Sequence, residues 1–272
     1  MIRSPFGYFG NKSHIAPAIW KRLGDPTYYY QPFGGSLGGL LGRPTPGKYE
    51  FVGDIDAQIT NFWRAAKYGS PAELAQWADW PHSSLDLKAR LKWLKAQKDR
   101  LHQNLVADPL WYDAQCAGWY AWVNSVRMHN QGSCLHMTRR KGVRRKGQPL
   151  PAYFGDLASR LKDVTIFHGD WTHLANAAVT ASKHGDSALL LDPPYGNVRE
   201  QLYDHHDRTI PAKCREFALA AASPRLKIAL CGYEGEARMP SDWEQLSWGS
   251  QFGRGRERIW FSPHCQRGGE EA

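Results

Sequence analysis

Three short stretches constrain the fold of this chain more than anything else in it: DVTIFHGD (163–170), SALLLDPPY (187–195) and LKIALCGY (226–233). Each is a β-rich apolar run that ends in glycine or an acid. YYYQPF (28–33) and YEFVG (49–53, followed by Asp54) repeat the pattern near the N-terminus. After Asp54, AQITNFWRAAKYG places apolar residues at helical spacing and stops at Gly69. Apolar strands that lack in–out alternation and are separated by helices argue for a mostly parallel sheet with helices on both faces. In such sheets ligands sit outside the carboxyl ends of the strands, where the glycines and acids of this chain cluster.

The middle of the sequence loses that rhythm. Residues 85–105 read as a Lys/Arg-studded helix, and WYDAQCAGWYAWVNSVRMHN (111–130) reads as an aromatic helix. TRRKGVRRKGQPLP then crowds Arg139, Arg140, Lys141, Arg144, Arg145 and Lys146 together. The chain therefore divides into a catalytic domain of residues 1–74 and 154–272 and an inserted, mainly helical subdomain of residues 75–153. The formal charge of +9 points to a polyanionic partner. No apolar stretch is long enough to span a membrane and no signal-like run opens the chain, so a cytoplasmic location is expected. The five cysteines are odd in number and show no C-x-x-C spacing, which argues against a disulfide framework or a zinc knuckle. His205 and His206, flanked by Asp204 and Asp207, read as a solvated loop, and no metal is expected.

Two constellations carry chemistry. In QPFGGSLGG (31–39) glycines follow a strand, where they permit positive φ and close backbone approach to a ligand. Asp54 ends the next strand about twenty residues on, the place for a carboxylate that accepts both hydroxyls of a ribose. In Asp192-Pro193-Pro194-Tyr195 the prolines fix two φ angles and remove two donors. The turn presents the Asp192 carboxylate and the Pro193 carbonyl as paired acceptors beside an aromatic ring. Paired acceptors suit an exocyclic amine, and a flat ring suits a base.

The order of motifs resembles the Dam-like (D12) class of DNA N6-adenine methyltransferases: FGYFGNK (6–12), PFGGSLGG (32–39), GDID (53–56), an insert, HGDW (168–171) and DPPYGN (192–197), with LCGYEGE and ERIWFSP similar to later strands. The resemblance implies a Rossmann-like methyltransferase sheet, S-adenosyl-L-methionine as methyl donor, and site-specific transfer to a flipped-out adenine in double-stranded DNA. Under it, Tyr8 and Lys12 contact the cofactor, with Lys12 near its carboxylate. Pro32, Phe33 and Gly34 form the methionine loop, Asp54 holds the ribose, and Asp170 lies near the adenine. Asp192, Pro193 and Tyr195 form the catalytic turn, with Asp192 also on the cofactor side. The basic residues 139–146 face DNA, and Trp119, Trp122 and Asn124 are recognition candidates in the insert. Two departures stand out: Gln31 replaces a usual acid, and Tyr203 is followed by Asp207 where an aromatic is common. The alternatives are an RNA N6-adenine or N2-guanine methyltransferase, a cytosine-N4 enzyme, and a non-catalytic DNA-binding derivative.

Overall fold

The computed structural model describes residues 2–8, 10–81, 83–126, 143, 147–194, 207–221, 223–235, 238–249 and 256–266. A 3-10 turn, Lys12–His14, and helix α1, Ala16–Leu23, lead into strand β1, Tyr28–Gln31. A short helix α2, Gly38–Leu41, precedes β2, Tyr49–Asp54, and then come α3, Ala57–Tyr68, and α4, Pro71–Ala78. Helices α5, Ser84–Ala96, α6, Lys98–Ala107, α7, Ala114–Val126, and α8, Leu150–Leu161, separate β2 from β3, Val164–His168. The chain closes with α9, Trp171–Ala181, β4, Ser187–Leu191, α10, Ile210–Ala220, β5, Leu226–Tyr233, β6, Glu244–Gly249, and β7, Arg256–Phe261.

Among the described residues the strands form one seven-stranded sheet in the order β3-β2-β1-β4-β5-β7-β6. The pairs from β3 through β5 are parallel, and β7 runs antiparallel to both β5 and β6. A 3-2-1-4-5 parallel order is the doubly wound arrangement. With an antiparallel β7 inserted before β6, this is a Rossmann-like methyltransferase fold. The strand order reverses between β1 and β4, so the ligand crevice lies at their carboxyl ends.

Side chains explain the register. All five residues of β4 are buried, as expected of a central strand covered on both faces. Tyr30 of β1 stacks on Phe51 of β2 at 4.7 Å, and Tyr28 on Tyr49 at 5.0 Å, so adjacent strands are locked by aromatic pairs. On α3, Asp56 caps the first turn by accepting from the Gln58 amide, and Gly69 ends the helix. Val52 and Leu190 of the sheet share one hydrophobic cluster with Leu87, Leu101 and Trp122 of the helices between β2 and β3. The 85–105 helix expected from sequence is two helices, broken at Gln97, which is the C-cap of α5 and the N-cap of α6.

Candidate active site

The glycine loop after β1 is built around Gln31. Its buried amide oxygen accepts from the Tyr29 hydroxyl at 3.0 Å and the Leu40 amide at 3.1 Å, while its nitrogen donates to the Gly34 carbonyl at 3.3 Å. A carboxylate could accept but not donate, so an amide at this position closes the loop on itself. Gly34 donates to the Gly53 carbonyl at 2.7 Å, joining the loop to β2. Gly35 has φ +49° and lies under the Tyr8 ring, where a Cβ would come within 2.6 Å of Tyr8 Cε1. Glycine is required there for conformation and for space.

Asp54 stands at the end of β2. Its Oδ2 accepts from the Gly35 amide and its Oδ1 from the Asp56 amide, both at 2.9 Å. A carboxylate offers about four acceptor directions, so capacity for a diol remains. Burial, then the neighbouring Asp56 charge, raises its pKa to about 7, against the backbone hydrogen bonds that favour the ionised form. Ile55 follows with its side chain exposed. One strand over, Asp170 caps α9 by accepting from the Thr172 amide at 2.9 Å, and Phe33 stacks on Trp171 at 5.9 Å. Gly34, Leu37, Asp54 and Phe167 line a small hollow between loop and strand ends.

The raised Asp54 has a stability consequence. The folded chain holds this proton more tightly than the unfolded chain, so stability is highest below about pH 4 for this group and falls as pH rises toward about 7. The full shift would correspond to roughly 4 kcal/mol at 1.36 kcal/mol per unit. Asp54 keeps a solvent-facing edge, which reduces the expectation to about 1–3 kcal/mol. Thermal melts between pH 4 and 8 should show this fall in the wild type and a flatter profile in Asp54→Asn.

The Asp192 turn leaves β4 at the switch point. Lys12, buried in the N-terminal motif, places its ammonium 2.8 Å from Asp192 Oδ1 and 2.7 Å from the Gly10 carbonyl. Burial works against this charge, but Asp192 and, less strongly, Cys231 and Glu257 outweigh it and hold the lysine above its usual range. Glu257 Oε2 lies 3.8 Å from the same ammonium. The buried Cys231 thiol, its pKa raised by burial and then by Asp192, faces the Asp192 carboxylate.

Sequence reading does not single out Glu257 or Cys231, although both lie in stretches that it marks as late strands. Nor does it find the contact at the end of β3. There His168 meets His102 of α6 at 2.9 Å and the Thr60 hydroxyl at 3.2 Å, and Thr60 donates to the Asp54 carbonyl at 3.0 Å. The helices between β2 and β3 are thereby tied to the Asp54 strand end.

Tyr8, Lys12, Pro32, Phe33, Gly34, Asp54, Asp170, Asp192 and Pro193 all lie in segments at or next to the carboxyl edge of the sheet. Tyr195, Tyr203, His205, His206 and the basic residues Arg139, Arg140, Lys141, Arg144, Arg145 and Lys146 lie outside the described residues. Among the recognition candidates, Trp122 is core: it is fully buried and donates to the Trp80 carbonyl at 2.8 Å. Trp119 packs on the Arg90 guanidinium at 4.6 Å, and Asn124 donates back to the Tyr120 carbonyl at 2.9 Å. Trp122 thus holds helices together, as expected of a tryptophan buried in the core.

No protein-family model matches the chain, and no curated protein matches it in sequence. Two solved structures, both of the rRNA methyltransferase aviRa from Streptomyces viridochromogenes, align with it. One shares 16% identity, covers 96% of this chain and 88% of that chain, and has a TM-score of 0.40. The other shares 17% identity, covers 95% and 87%, and has a TM-score of 0.38. At that level the alignments carry no argument about substrate, and the fold rests on the strand order. Among the described residues no helix is long and apolar enough to cross a membrane.

Proposed function

We propose that this protein is an S-adenosylmethionine-dependent methyltransferase acting on the N6 amine of a flipped-out adenine in double-stranded DNA. The observation that carries this reading is the Asp192-Pro193-Pro194 turn at the switch point, pinned by Lys12 of the N-terminal motif. Asp54 and the Gly34–Gly35 backbone would hold the cofactor's ribose and methionine portions, with Ile55 and Asp170 toward its adenine. When bound, S-adenosylmethionine supplies a methyl group already activated on a sulfonium sulfur. The protein's own task is then alignment and polarisation. An aromatic amine is a poor nucleophile because its lone pair is delocalised. Asp192 and the Pro193 carbonyl, accepting its two hydrogens, draw the nitrogen toward a tetrahedral shape and free that pair. Tyr195 would stack on the extruded base and offset part of the few kcal/mol that flipping costs.

The basic stretch 139–146 would face the DNA. The described residues on either side of it support that placement. Ser125, near the end of α7, donates to the Ala121 carbonyl at 2.7 Å and lies 3.4 Å from the Pro5 carbonyl, and Tyr153 of α8 donates to the Arg3 carbonyl at 2.6 Å. The helices on either side of the stretch, α7 and α8, therefore both sit against the segment that leads to Tyr8 and Lys12. Neutralising Arg139, Arg140, Arg144 and Arg145 together should weaken duplex binding and lower the log–log salt slope by about 0.9 for each phosphate that no longer meets a cation. Fluorescence anisotropy across a salt series checks this, and S-adenosylmethionine affinity should not change.

The test of the function is transfer of labelled methyl groups from S-adenosylmethionine to matched duplex DNA and RNA, with nucleoside analysis of the product. N6-methyladenine in DNA is the expected result. N6-methyladenine or N2-methylguanine confined to RNA would overturn the substrate assignment. Saturable DNA binding with no transfer to either polymer would favour a non-catalytic derivative.

A further inference from the structure

Glu257 presents a structural anomaly at the catalytic turn. It lies on β7 between Tyr233 of β5 and Trp248 of β6 and is 7% exposed. Its Oε2 is buried with no hydrogen-bond partner, 3.8 Å from the Lys12 ammonium. An orphaned buried carboxylate oxygen is costly, and a buried unsatisfied group calls for a physical explanation. The Lys12–Asp192 pair alone is neutral. With Glu257 3.8 Å from the same ammonium, Lys12 is shared by two carboxylates.

We propose that Glu257 is a positioning residue of the catalytic turn: through the lysine it shares with Asp192, it places a second carboxylate behind the one that faces the amine. This rests on the methyl-transfer reading above. The amine nitrogen gains the methyl carbon, the electron pair of the breaking C–S bond stays with sulfur, and the nitrogen is positive until one proton passes to Asp192 and on to water. A fixed negative charge behind Asp192 stabilises that developing positive charge without reorganisation at the moment of reaction. Among the described residues, the titratable groups facing the cluster include Lys12 and His14 from the N-terminal turn, Asp192 after β4, and Cys231 on β5. Burial pushes the Glu257 carboxyl up and Asp192 adds to this, with Lys12 offsetting part of it. Glu257 therefore takes up a proton more readily than an exposed glutamate, and its own negative charge is lost on acidification.

The test is single-turnover methyl transfer by wild type, Glu257→Gln and Glu257→Asp over a pH series. Glu257→Gln should be about ten- to hundred-fold slower at pH 8, with S-adenosylmethionine and DNA affinities unchanged. The gap should close as pH falls, because the wild type then loses the same charge. Glu257→Asp should recover part of the rate. A gap that is absent, or constant with pH, would overturn the proposal. A second measurement does not depend on turnover or on the stability of Glu257→Gln: carboxyl-carbon NMR titration of Glu257 in wild type and in Asp192→Asn. With the lysine no longer shared, the Glu257 midpoint should fall by about one unit, and an unchanged midpoint would also overturn the proposal. If the wild type transfers no methyl group, the functional reading fails, while the Glu257 titration still decides whether the lysine is shared.

Discussion

Asp192→Asn is expected to reduce methyl transfer by at least a hundred- to a thousand-fold, the scale of losing one preorganised polar group at a reacting centre. The asparagine oxygen still accepts, but the charge that polarises the amine is gone. The same change should lower stability, because Lys12 is buried and loses the counter-charge 2.8 Å away. Breaking a fully buried pair costs about 3–5 kcal/mol. Asp192 retains an edge to solvent and Glu257 lies 3.8 Å from the ammonium, so the expected loss lies near or below the lower end of that range. Denaturant melts and single-turnover assays on the same sample separate the two effects. A variant that keeps near-normal turnover would remove Asp192 from the chemistry. One that loses stability in full proportion to its activity would make the turn mainly structural.

Gly35→Ala is the second large effect. Alanine at φ +49° is strained by about 1–2 kcal/mol, and its Cβ would overlap the Tyr8 ring. The Gly35 amide is also the donor that holds Asp54 Oδ2 at 2.9 Å. Displacing it should loosen the loop and the carboxylate together. Calorimetry should show S-adenosylmethionine affinity down by at least about tenfold, 1.4 kcal/mol, with a lower melting temperature. Gly155→Ala on α8 serves as the control: a Cβ there meets nothing within 4 Å, and alanine favours a helix. Equal losses in both variants would mean that Gly35 holds no special place in the site.

Much of this arrangement is legible in the sequence. Strands β1 to β5 announce themselves as apolar runs bounded by glycine or acid, and a parallel sheet places those bounding residues on one edge. β6 is not legible, because EQLSWG has no buried run and gains its strand form from pairing with β7. The break at Gln97 is hidden because no proline or glycine marks it. Glu257 and Lys12 come from opposite ends of the chain, and no spacing rule connects them; only the insertion of β7 beside β5 brings them together. Gln31 shows the reverse case. It looks like a lost cofactor ligand until its amide is seen donating to Gly34 and accepting from Leu40.

The pairing of β2 with β3 also carries a cost in folding. Asp54 sits opposite His168, 114 residues away along the chain. Closing so long a flexible loop is entropically unfavourable, and parallel pairings of this kind slow folding. Helices α4 to α8 pack on α3 and on one another, and they bury Leu87, Leu101 and Trp122 in the cluster that also holds Val52 and Ile166. If they condense first, the ends of β2 and β3 are brought toward each other before any sheet bond forms between them. The helices between β2 and β3 would then serve as a folded bridge that shortens the route from the Asp54 strand to the strand that completes its edge of the sheet.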